Sequence, residues 1–190
     1  MRSLQVALLL VGWHAAAIAA DLALPELMRE LAQVPAAQAR FTEIKHMSVL
    51  QKPLTLSGRL AYVRPDRIER HVLAPYEEKT VVSGDRVTIE SRSRNTSKTF
   101  SLDSAPGAYA LAESLRATLA GDLAALERHY SVDLKGNRDD WTLTLTPREA
   151  AVSSLVQSVL IAGAQARILR FDVREANGDH STMTIRDDKP

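Results

Sequence analysis

The feature that most constrains this chain is a series of short segments in which apolar and polar residues alternate, separated by tight turns. The clearest segment is 54–63, where Leu56, Leu60 and Tyr62 fall on one parity. Alternation of this kind places side chains on one face of a β-strand. Turns as short as the one at 177–179 can join only antiparallel neighbours, since parallel strands need a crossover of about a dozen residues. The pattern therefore predicts an antiparallel sheet.

The same criterion predicts about nine to eleven strands along the chain. The predicted ranges are 40–45, 54–63, 68–73, 78–82, 86–90, 96–102, 132–134, 141–145, 154–161, 166–174 and 181–186. The region 149–166 also fits helical spacing. Its valine and isoleucine content and the neighbouring hairpins favour strand.

Two segments have helical periodicity instead. In 25–34, Leu27 and Leu31 share an apolar stripe. In 109–130, leucines recur every three or four residues, with an expected break at Gly121. The leucines of this second segment include Leu111, Leu115 and Leu119. The fold class is therefore mostly β: one large, curled antiparallel sheet with helices against one face. The leucine-rich helix is either a core helix or a lid over a lipid-sized cavity.

The first twenty residues differ from the rest of the chain. Arg2 precedes an apolar run at 4–11, and 17–19 has the A-x-A pattern of a cleavage site. A membrane-spanning helix needs about 20 apolar residues, so this run is too short for an anchor. We therefore predict a cleaved signal peptide at 1–20 and one exported, soluble domain at 21–190, located in a bacterial periplasm.

Charge and motif content exclude several classes of function. The chain has 24 basic and 23 acidic residues and a net charge of +1, which is not the pattern of a nucleic-acid-binding protein. It has no cysteine, and its histidines do not have the spacing of a zinc site. We predict no enzyme activity, no metal and no cofactor. A small periplasmic enzyme with a dispersed active site is the remaining alternative in this class.

Arg64 is the one charged residue that the alternation places at the end of an apolar face. It follows Tyr62 on the same parity. A charge in that position must find hydrogen-bond partners or solvent. The guanidinium has five donors in a fixed fork, which suits carbonyl groups at a helix end or loop. The alternative is an arginine at a strand end that points into water.

Several short motifs occur in an order typical of one family. They are Phe41-Thr42-Glu43-x-Lys45, Gly58 within 54–60, Tyr62-Val63-Arg64-Pro65, Pro75, and Val81-Val82-Ser83-Gly84-Asp85. In this order they resemble the N-terminal half of the periplasmic lipoprotein carriers of the LolA family. The leucine-rich segment 107–130, Leu145-Thr146-Pro147 and the hairpins of 154–186 follow the family's order to the C-terminus.

The resemblance implies an unclosed antiparallel β-barrel with a helical lid. Its hydrophobic cavity would take the acyl chains of lipoproteins and carry them from the inner to the outer membrane. The partners would be an acylated lipoprotein or lipid cargo and, transiently, an inner-membrane transporter and an outer-membrane acceptor. The protein would act as a monomer. The alternative is an envelope-stress or lipid sensor, or an accessory protein of a lipid export system.

The resemblance also suggests site residues. Arg64 matches the arginine with which the family holds its lid through hydrogen bonds. The ligand-binding residues expected from the resemblance and from the apolar stripes are Leu31, Phe41, Leu56, Leu60, Tyr62, Arg64, Ile68, Val72, Leu111, Leu115 and Leu119. Two departures predict a more polar, less aromatic cavity: Arg70 stands where the family often has an aromatic residue, and 86–89 has no aromatic residue.

Overall fold

Eleven strands form one antiparallel sheet, which confirms the predicted fold class. The computed structural model describes residues 22–104 and 106–187. The strands are β1 (Ala36–His46), β2 (Leu54–Val63), β3 (Arg67–Ala74), β4 (Glu78–Ser83), β5 (Arg86–Ser91), β6 (Thr96–Ser101), β7 (Tyr130–Asn137), β8 (Asp140–Pro147), β9 (Val156–Ala164), β10 (Arg167–Glu175) and β11 (His180–Asp187). The predicted signal peptide at 1–20 lies outside the described residues.

The sheet does not close into a barrel. Its strand order is β6-β5-β4-β3-β2-β1-β11-β10-β9-β8-β7, so β6 and β7 are the two edges. Neighbours along the chain pair as hairpins on both sides, and the first and last strands pair at the centre, with Phe41 opposite Ile185. The single long connection, from β6 to β7, therefore runs from one edge to the other, and it is this connection that contains most of the helical residues.

Within the residues that the structure describes, four short α-helices accompany the sheet. They are α1 (Leu24–Leu31), α2 (Pro106–Ala120), α3 (Leu123–His129) and α4 (Ala150–Ser153), and a 3-10 turn at Leu102–Ser104 precedes α2. Within 22–104 and 106–187, none of the helices has the length and apolar character needed to cross a membrane. For region 149–166 the sequence left strand and helix as alternatives. The structure contains both, because the helix α4 is followed by the strand β9.

The leucine-rich segment is two helices, as the expected break at Gly121 implied. Gly121 has a φ of +69°, and a Cβ atom there would lie 2.1 Å from the Met28 carbonyl oxygen. Only glycine permits both this conformation and this approach to α1. The Asp122 carboxylate then caps α3 by accepting a hydrogen bond from the Ala125 amide at 2.9 Å.

One face of the sheet, here called the inner face, holds three clusters of buried apolar residues. The C-terminal cluster combines β7 to β10 with α1, α2 and α3, and includes Trp141 and Leu143. The N-terminal cluster combines β2 to β5 with α2 and includes Tyr62. The middle cluster lies on β1, β2, β3 and β11 and includes Phe41. The buried side chains of the strands alternate as the sequence predicts.

Candidate functional site

Helix α2 lies between two of the three clusters on the inner face. Ala110 and Ala117 belong to the C-terminal cluster and are 3% and 2% exposed. On the other flank, Leu115 and Leu119 pack against the N-terminal cluster and are only partly buried. The helix also contacts α1, α3, α4 and β9. It is therefore firmly packed on one flank and more loosely packed on the other.

The N-terminal cluster brings together four of the predicted site residues. Tyr62 and Ile68 are paired across β2 and β3, and Leu115 and Leu119 cover them from α2. Burial raises the pKa of the Tyr62 phenol above its ordinary value. The Tyr62 hydroxyl donates a long hydrogen bond of 3.5 Å to the Pro65 carbonyl. The other buried members of the N-terminal cluster are aliphatic.

The middle cluster contains four further predicted residues. Phe41, Leu56 and Val72 are its buried members, with Met183, and Leu60 is partly buried against them. Among the described residues, every member of this cluster comes from a strand or from the β3–β4 turn, and none from a helix. The apolar contacts of this cluster are therefore made by the strands and this turn, without the helices.

Leu31 and Leu111 lie apart from the other predicted residues. Both pack in the C-terminal cluster, where Leu31 is 1% exposed. Their neighbours there include Trp141, whose indole N–H donates to the Gln165 carbonyl at 2.9 Å. The set that the sequence groups into one site is thus divided among three clusters, and these two residues lie among core residues.

Arg64 binds a helix end, but the helix is α1. Its guanidinium donates to the carbonyl of Ala32, which caps the C-terminus of α1. Its backbone N–H donates to the Pro35 carbonyl at 3.0 Å. A cation at the C-terminal end of a helix is also favourable for the helix dipole. The sequence suggested a bond to the leucine-rich helix; α2 is reached only indirectly, through the contact of Gly121 with Ala32.

A charged cluster interrupts the apolar surface of the middle cluster. Glu43 is 5% exposed, and its carboxylate accepts a hydrogen bond of 2.5 Å from the Arg70 guanidinium. Lys45 lies 3.6 Å from the same carboxylate. The Arg70 guanidinium carbon is 5.0 Å from the centre of the Phe41 ring, as in a cation–π pair. Arg70 was expected to make the cavity more polar, because it replaces an aromatic residue that is common in the family. Glu43 was not among the predicted site residues, although the alternation starting at Phe41 already places it on the inner face.

Two surface cavities lie away from all of these residues. One of about 360 Å³ is bounded by the β1–β2 loop and the β10–β11 turn, and includes His46 and His180. The other, of about 410 Å³, is bounded by polar residues near the β5–β6 turn, including Glu90. Neither is lined by a predicted site residue. Within 22–104 and 106–187, no three potential metal-ligating side chains lie together.

The sequence and the fold were compared with known proteins. No curated protein matches the chain. A LolA superfamily protein from Nitrosomonas europaea has a similar structure, with a TM-score of 0.47 and 12% identity over 89% of this chain and 96% of that one. A putative outer membrane lipoprotein-sorting protein domain from Vibrio parahaemolyticus gives a TM-score of 0.48 and 11% identity over 86% and 89% of the two chains.

A third similar structure is the MucA/MucB complex of Pseudomonas aeruginosa, with a TM-score of 0.43 and 13% identity over 85% of this chain and 55% of that one. The family model described as outer membrane lipoprotein carrier protein LolA-like matches residues 14–186. That range contains all four helices and the eleven strands except for Asp187, the last residue of β11. The chain therefore belongs to the LolA-like family of outer membrane lipoprotein carrier proteins.

Proposed function

We propose that this protein is a periplasmic carrier that binds the acyl chains of lipoproteins, or of another envelope lipid, on its inner face. In this proposal it receives cargo from an inner-membrane transporter and delivers it to an outer-membrane acceptor. Family membership supports the class of function. The observation that carries the proposal is the covering of an apolar strand surface by the loosely packed flank of α2, with Leu115 and Leu119 partly buried there.

Cargo would enter by displacing that flank of α2. Movement of Leu115 and Leu119 away from the sheet exposes Tyr62, Ile68 and Val82 of the N-terminal cluster. An acyl chain then replaces the lost apolar contacts, and each buried methylene contributes about 0.8 kcal/mol. The ligand shifts the opening equilibrium only by its preference for the open form, so an empty carrier stays closed and a loaded one stays open.

Arg64 would influence this equilibrium from the adjacent helix. Its bond to Ala32 holds the C-terminal end of α1, against which the end of α2 packs at Gly121. Both helix ends therefore share one anchoring point beside the start of β1. Loss of that bond would weaken the closed form more than an open form in which the end of α2 has moved away.

The test of the proposal is binding of fluorescent fatty acyl probes of increasing chain length. If the chain lies on the N-terminal cluster, affinity should rise about fourfold for each added methylene until the surface is full. An affinity that does not depend on chain length would contradict an apolar binding surface and, with it, the carrier function.

A disulfide can show whether α2 has to move. A Cβ atom on Gly107 would lie 3.7 Å from the Cβ of Leu155, close to the separation of about 3.8 Å found in disulfides. The protein has no cysteine of its own, so the pair Gly107→Cys/Leu155→Cys forms one defined bond. It would tie the first turn of α2 to the segment before β9.

If the whole of α2 moves when cargo enters, the oxidised double variant should bind the acyl probe at least about tenfold more weakly than the same protein after reduction, because the first turn of α2 is then held in the closed form. The two single variants are matched controls and should bind like the wild type under both conditions. Equal binding by the oxidised and reduced double variant would show that cargo enters without movement of the first turn of α2.

A further inference from the structure

The binding of acyl chains alone does not explain the charged cluster of Glu43, Arg70 and Lys45. Burial of charges costs free energy, and a buried ion pair is often no more stabilising than apolar residues of the same size. A surface that held only acyl chains would be expected to have apolar side chains here. Instead, Glu43 is 7% exposed at its side chain, and its partner Arg70 is 23% exposed.

The cluster carries an excess of positive charge. Two cations, Arg70 and Lys45, face one carboxylate, Glu43, so the three charges sum to +1. The nearest acidic side chain on the same face of β4 is Glu78, opposite Val72, and Arg94 pairs with it at 3.3 Å. Glu78 therefore does not offset the excess at Arg70. The exposed part of the guanidinium is left able to attract an anion.

The position of Arg70 places this charge at the boundary between two apolar surfaces. It lies between Ile68 of the N-terminal cluster and Val72 of the middle cluster, two residues from each on the same face of β3. Positions two residues apart on a strand are separated by about 6–7 Å. The Phe41 ring lies beneath the guanidinium, 5.0 Å from its central carbon. A ligand chain under α2 would thus have its polar end within reach of Arg70.

We infer that Arg70, with Lys45, binds the anionic group of an acyl ligand whose chain occupies the N-terminal cluster beneath α2. This inference rests on the proposed carrier function and adds the class of cargo: a single chain, or group of chains, attached to a phosphate or carboxylate. The planar guanidinium suits two-point contact with such groups. Glu43 acts as the internal counter-ion that pairs with Arg70 when no ligand is bound, and Lys45 adds a second positive charge at the exposed side.

The experiment compares ligands with the same sixteen-carbon chain and different polar ends. Lysophosphatidate and palmitate are anionic, and monopalmitoylglycerol is neutral. The wild-type protein should bind lysophosphatidate at least about tenfold more tightly than the monoacylglycerol, since charge-assisted bonds are the stronger class. Inorganic phosphate alone should bind far more weakly than lysophosphatidate. Comparable binding of inorganic phosphate would overturn the assignment to a lipid and indicate a free-phosphate site.

Substitution at Arg70 should remove the preference and leave the binding of the neutral lipid unchanged. Arg70→Leu leaves Glu43 buried without its partner, which endangers folding. The triple variant Arg70→Leu/Glu43→Leu/Lys45→Leu removes both cations together with the carboxylate and avoids that problem. In the triple variant, lysophosphatidate should bind no more tightly than monopalmitoylglycerol. Arg92→Leu removes an arginine of the β5–β6 turn that is 81% exposed and pairs with Glu77, and it should keep the wild-type preference.

The outcomes separate this inference from the carrier function. If the wild type binds none of the lipids, the proposed function fails. If it binds the anionic and neutral lipids equally, or if the triple variant keeps the preference for lysophosphatidate, the carrier function stands and the role of Arg70 and Lys45 is wrong.

Discussion

The two flanks of α2 differ in how closely they pack, and in the proposed function this difference determines which part of the protein moves. On the flank facing the C-terminal cluster, the helix presents the buried Ala110 and Ala117 and the partly buried Leu111 to a cluster whose central side chains, such as Trp141, are 0% exposed. On the other flank, the partly buried Tyr109, Ala112, Leu115 and Leu119 pack against residues that are between 3% and 9% exposed.

Small residues let a helix approach a sheet closely, and close approach maximises dispersion contacts. The alanine flank therefore behaves as part of the core. The leucine flank covers an apolar surface without being enclosed by it, so its contacts can be exchanged for those of a ligand chain at little cost. Helix α2 is thus held to the sheet by one flank, while its other flank covers a surface that, in the proposed function, a ligand chain can occupy.

The largest expected effect is a loss of stability in the C-terminal cluster, which holds the fixed flank of α2. Trp141→Ala removes a fully buried indole that packs over Gly163 and donates to the Gln165 carbonyl. We expect the free energy of unfolding to fall by about 3–5 kcal/mol, as for other buried aromatic residues. Urea denaturation measures the loss. Leu155→Ala, at a residue 48% exposed, is the control and should change stability by less than about 0.5 kcal/mol. If Trp141→Ala lowered the free energy of unfolding by less than about 1.5 kcal/mol, the C-terminal cluster would not be rigid core.

A smaller loss of stability is expected on the flank of α2 that covers the N-terminal cluster. Leu119→Ala removes a partly buried side chain from the N-terminal cluster and should lower the free energy of unfolding by about 1–2 kcal/mol. Because the lost contacts belong to the closed form, a shift of about 1 kcal/mol in the opening equilibrium should also speed association of an acyl probe about fivefold.

Leu111→Ala is the matched control for this comparison, since it is the same substitution in the same helix but on the fixed flank. It should lower stability without speeding association of the probe in stopped-flow fluorescence. Equal acceleration by both variants would show that the two flanks do not differ in the way described.

The smallest loss of stability is expected where the C-terminal ends of α1 and α2 meet. Arg64→Leu removes the donor to the Ala32 carbonyl from an exposed side chain, so the loss should be about 1 kcal/mol. In a protein of this size that corresponds to a fall in Tm of about 2–4 °C. Release of an acyl probe should slow, because the closed, empty form has lost stability relative to the loaded one.

Arg64→Lys keeps the positive charge near the end of α1 but not the planar fork, and should retain part of the stability. Wild-type Tm and wild-type release in Arg64→Leu would support the simpler alternative, a solvated arginine at a strand end.

The sequence alone was sufficient for the elements and for the fold class. The strand at 54–63 is found with the same limits in the structure, and the break at Gly121 was correctly expected. Both depend on local physics: alternation defines the faces of a strand, and glycine tolerates a positive φ. The order of short motifs also pointed to the family that the family model confirms. Arg70 could be recognised as unusual from its neighbours in the sequence.

Tertiary structure decided which of these residues meet. Leu31 and Leu111 share the periodicity of the other apolar residues, yet pack in the core cluster because α1 and α2 lie against β7 to β10. Arg64 finds its carbonyl at Ala32, and Arg70 finds Glu43, through pairing of strands whose register no local pattern encodes. Periodicity fixes the face on which a side chain lies, whereas its partners depend on contacts between segments distant in the chain.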